Sequence, residues 1–170
     1  MDGVCPWYVL RAKTSQEFKA LEELKRRRIE SYVPQYSELR HLGRSRPVVV
    51  ARPLFPGYVL SRFDFERRVE ALQSPGIIAI VSFANHPATL DDAEVENIRR
   101  MVDSGLAKPV NHPSRLAKGQ RGQITSGPLT GVRGEITRIR HKYRIVVRLE
   151  GMGSASAEID PATFLPDQKK

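Results

Sequence analysis

Side chains able to make or break bonds are few and scattered in this 170-residue sequence. The four histidines, His41, His86, His112 and His141, stand far apart, and no pair has the spacing of metal ligands. Cys5 is the single cysteine, so no internal disulfide can form, and nothing beside it in sequence would activate the thiol. No glycine-rich loop is followed by Lys-Ser or Lys-Thr, the pattern that cradles phosphates. The expectation is a protein without enzymatic activity, metal or cofactor. The chemistry left to it is binding, by cations and aromatic rings.

The cations are unevenly spread. The formal net charge is +9. Residues 1–105 hold 16 Lys+Arg against 14 Asp+Glu, whereas residues 106–170 hold 12 against 5. Positive charge attracts phosphate backbones and acidic protein surfaces alike. Lys13, Gln16 and Lys19 fall at the polar start of a first helix. Arg40, Arg44 and Arg46 crowd the tip of a hairpin around Gly43. Such side chains contact phosphate, and arginine also stacks on unpaired bases. The rings concentrate in Arg52-Pro53-Leu54-Phe55-Pro56-Gly57-Tyr58-Val59-Leu60, where two prolines and a glycine force an irregular bend. Phe55 and Tyr58 on such a bend are expected to face solvent.

The elements that position these residues follow from periodicity. Pro6–Ala12 is β-rich. Thr14 and Glu17 form a capping-box pair ahead of a helix whose apolar stripe is Phe18, Leu21 and Leu24. Residues 38–50 read as the basic hairpin. Asp64 caps a short helix carrying Val69 and Leu72, which Pro75-Gly76 ends. Ile77–Phe83, apolar almost throughout, fits a central strand. Asp91 and Glu94 make a second capping box for a helix over 92–104, with Leu90 and Val95 stapled across the cap. Strands and helices mixed with short connections indicate an α+β sandwich.

The pattern changes after Gly105. Residues 106–117 carry two prolines and no periodicity, and read as a linker. Residues 118–170 contain no helical stripe. Short strands at Arg121–Thr125, Gly131–Arg140, Tyr143–Glu150 and Ala155–Ile159, with glycine turns between them, indicate a small β-barrel. Tyr143, Ile145, Val147 and Leu149 alternate with Arg144, Val146 and Arg148, as in a half-buried strand. In Gly127-Pro128-Leu129-Thr130-Gly131-Val132-Arg133-Gly134-Glu135-Ile136, three glycines and a proline demand a turn and then close backbone approach. The domains are therefore 1–105, a linker 106–117, and a barrel 118–170.

The segment with Gly127, Pro128, Gly131 and Gly134 resembles the KOW motif of transcription and ribosomal proteins. Trp7-Tyr8-Val9-Leu10, the capped helix and Leu54-Phe55-Pro56-Gly57-Tyr58-Val59 resemble the amino-terminal (NGN) domain of the NusG/RfaH family. The order of the two domains matches as well, and the resemblance covers about residues 6–165. It implies a transcription elongation or antitermination factor, cytoplasmic and monomeric. Its amino-terminal domain would bind the clamp helices of the largest RNA polymerase subunit, with Phe55, Tyr58, Leu60 and Phe83 as the contact residues. Lys13, Gln16, Lys19, Arg40, Arg44 and Arg46 would face the non-template DNA strand. The KOW domain, basic through Arg138, Arg140, Lys142, Arg144 and Arg148, would recruit the ribosome or the termination factor Rho. No membrane partner is expected: the apolar run 77–81 is far too short to span a bilayer, and the start of the sequence has no signal-peptide pattern.

Within that family, Ser15-Gln16-Glu17-Phe18 replaces the Gly-aromatic-Glu element usual in housekeeping members. Arg52-Pro53-Leu54-Phe55 and Ala155-Ser156-Ala157-Glu158-Ile159-Asp160 look closer to the specialised, operon-targeted paralogs. A short His-Thr-Thr polymerase contact found in one such paralog has no counterpart over 66–72. The alternatives are a housekeeping factor coupling to Rho or the ribosome, and a ribosome- or RNA-binding KOW protein without polymerase contact.

Overall fold

The computed structural model describes residues 5–41, 43, 46–110, 119–139, 142–149 and 152–167. Backbone packing divides the chain into two compact units. One holds Met1–Val33, Phe55–Glu96 and Glu150–Met152; the other holds Pro34–Leu54, Asn97–Leu149 and Gly153–Lys170.

The first unit is built on an antiparallel sheet. Its central strands are β1 (Trp7–Ala12) and β5 (Tyr58–Arg62), paired in register Trp7↔Arg62 to Arg11↔Tyr58. Outside β5 lies β2 (Glu30–Tyr32), and outside β1 lie β6 (Ile77–Ile80) and the short β9 (Thr89–Leu90). Alternation along β1 sends Tyr8, Leu10 and Ala12 to one face and Trp7, Val9 and Arg11 to the other. The first face packs with Ala20 and Leu24 of α1 (Glu17–Arg26), with Val59 and Phe63, and with Ala71 of α2 (Arg68–Leu72). Val9, Leu10, Leu24 and Val59 are sealed completely. Each such aliphatic contributes about 1.5–3 kcal/mol of burial free energy.

The opposite face begins at Trp7. Its indole N–H donates to Asp92 Oδ1 at 3.0 Å, and the Arg62 guanidinium lies 5.0 Å from the ring centroid while pairing with Asp92. Asp92 opens α3 (Asp92–Asp103). The expected capping box is present: Glu94 N–H donates to Asp91 Oδ1 at 2.8 Å, and Asp91 N–H donates to Glu94 Oε2 at 2.9 Å. The staple residues Leu90 and Val95 are both buried.

Four expectations for this unit need correction. The Thr14–Glu17 capping box does not form. Gln16 stands at the N-cap of α1 with no side-chain cap, and Ser15 takes the left-handed conformation, φ +60. Glu17 turns inward, so the buried face of α1 is Glu17, Ala20 and Leu24, with Phe18 and Leu21 only flanking the core. Asp64 caps a single 3-10 turn, Phe65–Arg67, and the α2 residue that reaches the core is Ala71; Val69 and Leu72 face out. Ile77–Phe83 is not a central strand. β6 pairs only with β1, and the chain then leaves in a two-residue-strand hairpin of β7 (Ser82–Phe83) and β8 (His86–Pro87). As an edge strand, β6 leaves Ile78 54% exposed.

The second unit contains the hairpin of β3 (Gln35–Arg40) and β4 (Val48–Pro53), in register from Gln35↔Pro53 to Arg40↔Val48. It also contains a curled antiparallel sheet. Its order is β10 (Lys108–Pro109), β14 (Gly153–Glu158), β13 (Lys142–Leu149), β12 (Arg133–Ile139), β11 (Gln120–Ile124) and β15 (Phe164–Pro166). Ile124, Leu129, Val132, Ile145, Val147, Leu149, Ala155 and Ala157 fill its interior. Four strands match the sequence reading. β15 was not read from the sequence; its three residues are too few for a periodic signal. In β13, Tyr143 lies 40% exposed at the strand end, and Val146, expected outside, is buried. The linker 106–117 starts as structure: Ala107 is buried, Lys108↔Ser156 and Pro109↔Ala155 are paired, and Val110 N–H donates to the Ser154 carbonyl at 3.0 Å. Residues 111–117 lie outside the described residues. The chain is thus α+β: an amino-terminal α/β sandwich followed by a small β-barrel domain.

Candidate partner-binding surface

The bend before β5 is held from both sides. Gly57, φ +87, sits in a conformation that L side chains avoid. Its N–H donates to Glu17 Oε1 at 2.7 Å, and its carbonyl accepts from Ala12 N–H at 2.8 Å. The Glu17 carboxylate is 3% exposed, so this amide is a partner it needs. The turn closes with Tyr58 N–H donating to the Phe55 carbonyl at 3.3 Å. These contacts launch β5 opposite Arg11 and set which face each ring occupies.

The four proposed contact residues do not share one environment. Phe55 was expected to face solvent but is 2% exposed. Backbone irregularity at the two prolines does not turn the ring out, because sealing a phenyl group gains about 1.5–3 kcal/mol and the closed turn allows it. Leu60 is fully buried on β5, paired with Val9 on one side and Tyr32 on the other, as a central strand requires. Tyr58 is half-buried at the start of β5. Phe83, expected as a contact residue, is 46% exposed on the β7–β8 hairpin. Ala84 and Asn85, both at positive φ, make the turn after it. Trp7 is core.

Two residues that sequence reasoning passed over complete the open part of the sheet. Arg11 is the Cα partner of Tyr58 and points to the same face. Ile78 belongs to the exposed edge strand. Together with Ala12, Thr14, Glu17, Pro56 and Gly57 they line a hollow of about 230 Å³. A signal for Arg11 was available, since it is the one charge in the alternating face Trp7-Val9-Arg11. Ile78 had none, because its neighbours in sequence are equally apolar.

The basic residues separate into two sets. Lys13 and Lys19 are exposed, and Gln16 is half-buried at the head of α1. Lys13 is pinned by its backbone, its N–H donating to the Gly76 carbonyl and its carbonyl accepting from Gln16 N–H. Arg40 and Arg46 are exposed near the end of the β3–β4 hairpin, and Arg44 lies outside the described residues. The first set belongs to the first compact unit and the hairpin set to the second.

The glycine-rich turn of the barrel behaves as its composition requires. Gly127 and Gly131 have φ +83 and +87, and Thr130 N–H closes the turn on the Gly127 carbonyl at 3.1 Å. Gly131 N–H and the Val132 carbonyl then pair with Ile124, returning the chain to the sheet. Pro128 precedes Leu129, which plugs the core with Val132. Gly134 serves close approach instead: a Cβ there would lie 2.5 Å from the Val146 carbonyl oxygen. Of the basic barrel residues, Lys142 pairs with Glu158 at 2.9 Å, Arg148 with Glu135 at 3.4 Å, and Arg138 covers the Tyr143 ring at 5.8 Å. Arg144 Nε donates to Ser156 Oγ at 3.0 Å, and Arg140 lies outside the described residues.

Elsewhere, burial first, then the neighbouring Cys5 and Asp64, hold the Tyr8 phenol above its usual range. Among the described residues no group of three His, Cys, Asp or Glu side chains could hold a metal ion. No helix among them is long and apolar enough to cross a membrane.

An α/β sandwich with a partly open sheet face, followed by a glycine-turned barrel, defines a two-part binding protein. The family model described as "Transcription termination factor nusG" matches residues 6–99. The transcription termination/antitermination protein NusG of Rickettsia bellii is 23% identical over 162 residues, covering 88% of this chain and 83% of that one. The NusG proteins of Deinococcus radiodurans and Neisseria meningitidis serogroup B are 25% and 26% identical, each over 85% of this chain and 90% and 89% of theirs. A solved structure of Thermotoga maritima NusG superposes with a TM-score of 0.55 at 19% identity, covering 96% of this chain and 97% of that one, and shares the fold. The chain belongs to the NusG family of transcription termination and antitermination factors.

Proposed function

We propose that this protein rides on RNA polymerase in the cytoplasm, binding the clamp helices of the largest subunit through the open sheet face at Tyr58, with Phe83 as a second ring. The observation that carries the reading is the half-buried Tyr58 lining a hollow beside the exposed Ile78, in a family of transcription factors. Large rigid rings at a concave surface make good interface anchors. Phe55 and Leu60 act from behind, fixing the strand that presents Tyr58. Lys13, Gln16 and Lys19 face the non-template DNA strand, and Arg40, Arg44 and Arg46 add phosphate contacts. The factor closes the clamp across the nucleic acid and disfavours pausing, while the barrel recruits the ribosome or Rho. No bond is made or broken. Ser15-Gln16-Glu17-Phe18, in place of the housekeeping Gly-aromatic-Glu element, and Arg52-Pro53-Leu54-Phe55 support a specialised antitermination paralog.

The test is binding of the full chain to core polymerase. Tyr58→Ala with Phe83→Ala should weaken affinity at least about thirtyfold, the cost of losing a hot spot, with circular dichroism unchanged. Phe55→Ala is unsuitable as a probe, since truncating a sealed phenylalanine costs about 3–5 kcal/mol of stability. Unchanged affinity of the Tyr58/Phe83 double variant refutes the assignment.

A further inference from the structure

Resting on that reading, we infer that the segment of the polymerase that enters the hollow presents an apolar side chain beside a carboxylate, and that Arg11 is the residue selecting that carboxylate. Arg11 is exposed, and no carboxylate among the described residues pairs with it. It stands directly across from Tyr58 on the same sheet face. A guanidinium without a carboxylate partner among the described residues, beside a hollow lined by a tyrosine, an isoleucine and a proline, is available to pair with a carboxylate of another molecule.

Size and charge narrow the occupant. At about 230 Å³ the hollow is smaller than ordinary small-molecule pockets, which run from about 300 Å³, and it suits one protruding side chain. A nucleic-acid backbone is too broad to enter a hollow of this size, and the Glu17 carboxylate in its wall is already engaged by the Gly57 N–H. Ile78, exposed because β6 is an edge strand, supplies the wall opposite Tyr58. The arrangement therefore reads a mixed signal, one apolar group and one negative charge about a side chain's length apart. A helical tip offers that combination on adjacent turns.

Binding of the full chain to core polymerase in the absence of nucleic acid, at low and at raised salt, separates the possibilities. Arg11→Ala should weaken binding about fivefold at low salt, with the difference shrinking as salt rises, and Arg11→Glu should weaken it further. Arg11→Lys should recover most of the affinity. Tyr58→Ala should weaken binding at both salt concentrations. If Tyr58→Ala weakens binding and Arg11→Glu leaves it unchanged or tighter, the charge selection is wrong and the docking site stands. If neither variant matters, the docking site itself is wrong. If Arg11→Glu matters only when a DNA scaffold is added, the occupant is nucleic acid and the inference is overturned. Because Arg11 is exposed, thermal melts of its variants should match wild type and exclude misfolding.

Discussion

Replacing Glu17 tests how the sandwich shapes its binding face. The carboxylate is buried, accepts the Gly57 amide at 2.7 Å, and sits in the first turn of α1. Glu17→Ala removes a hydrogen bond to a charged acceptor, about 1.5–3 kcal/mol, and a favourable helix-dipole contact of about 0.3–1 kcal/mol. Relief of the carboxylate's desolvation offsets part of this, leaving a net loss of about 2 kcal/mol. For a chain of this length that is a fall of roughly 4–8 °C in the melting temperature. Glu17→Gln keeps an acceptor oxygen and should cost about half as much. Urea denaturation monitored by Trp7 fluorescence reads the change, because Trp7 lies in the core of the same unit. Since the lost bond fixes the turn that launches Tyr58, polymerase affinity should fall along with stability for Glu17→Ala. A loss under about 0.5 kcal/mol for Glu17→Ala, or equal losses for the two variants, would refute the reasoning.

Two further outcomes are expected. Gly134→Ala drives a methyl group against the Val146 carbonyl and Ile145, and should destabilise the barrel by about 1–3 kcal/mol, read as a lower midpoint in chemical denaturation; a neutral effect would contradict the close strand approach. The raised pKa of Tyr8 means that its contribution is complete below the unfolded value near pH ~10 and is lost as pH rises through the folded one. Wild type should therefore lose stability above about pH 10 more steeply than Tyr8→Phe, and parallel pH curves for the two proteins would remove Tyr8 from the account.

The sequence by itself determined the elements whose signals are local. The capping box at Asp91 and Glu94 and the staple of Leu90 and Val95 are short-range matches between side chains and free helix amides, so their spacing sufficed. The turn at Gly127 and Gly131 was legible because few other residues tolerate positive φ. Only the tertiary structure decided which rings are open. Phe55, expected to be open, is sealed while Phe83 is exposed, since exposure depends on what packs against a ring and not on how irregular its own backbone is. Glu17 abandoned its local capping partner for the Gly57 amide forty residues away. Ile78 became surface because β6 lies at the edge of its sheet, and Arg11 gained meaning only once strand pairing set it across from Tyr58. Register and strand order are properties of the assembled sheet, and a contact of that range leaves no periodic trace in either of the segments it joins.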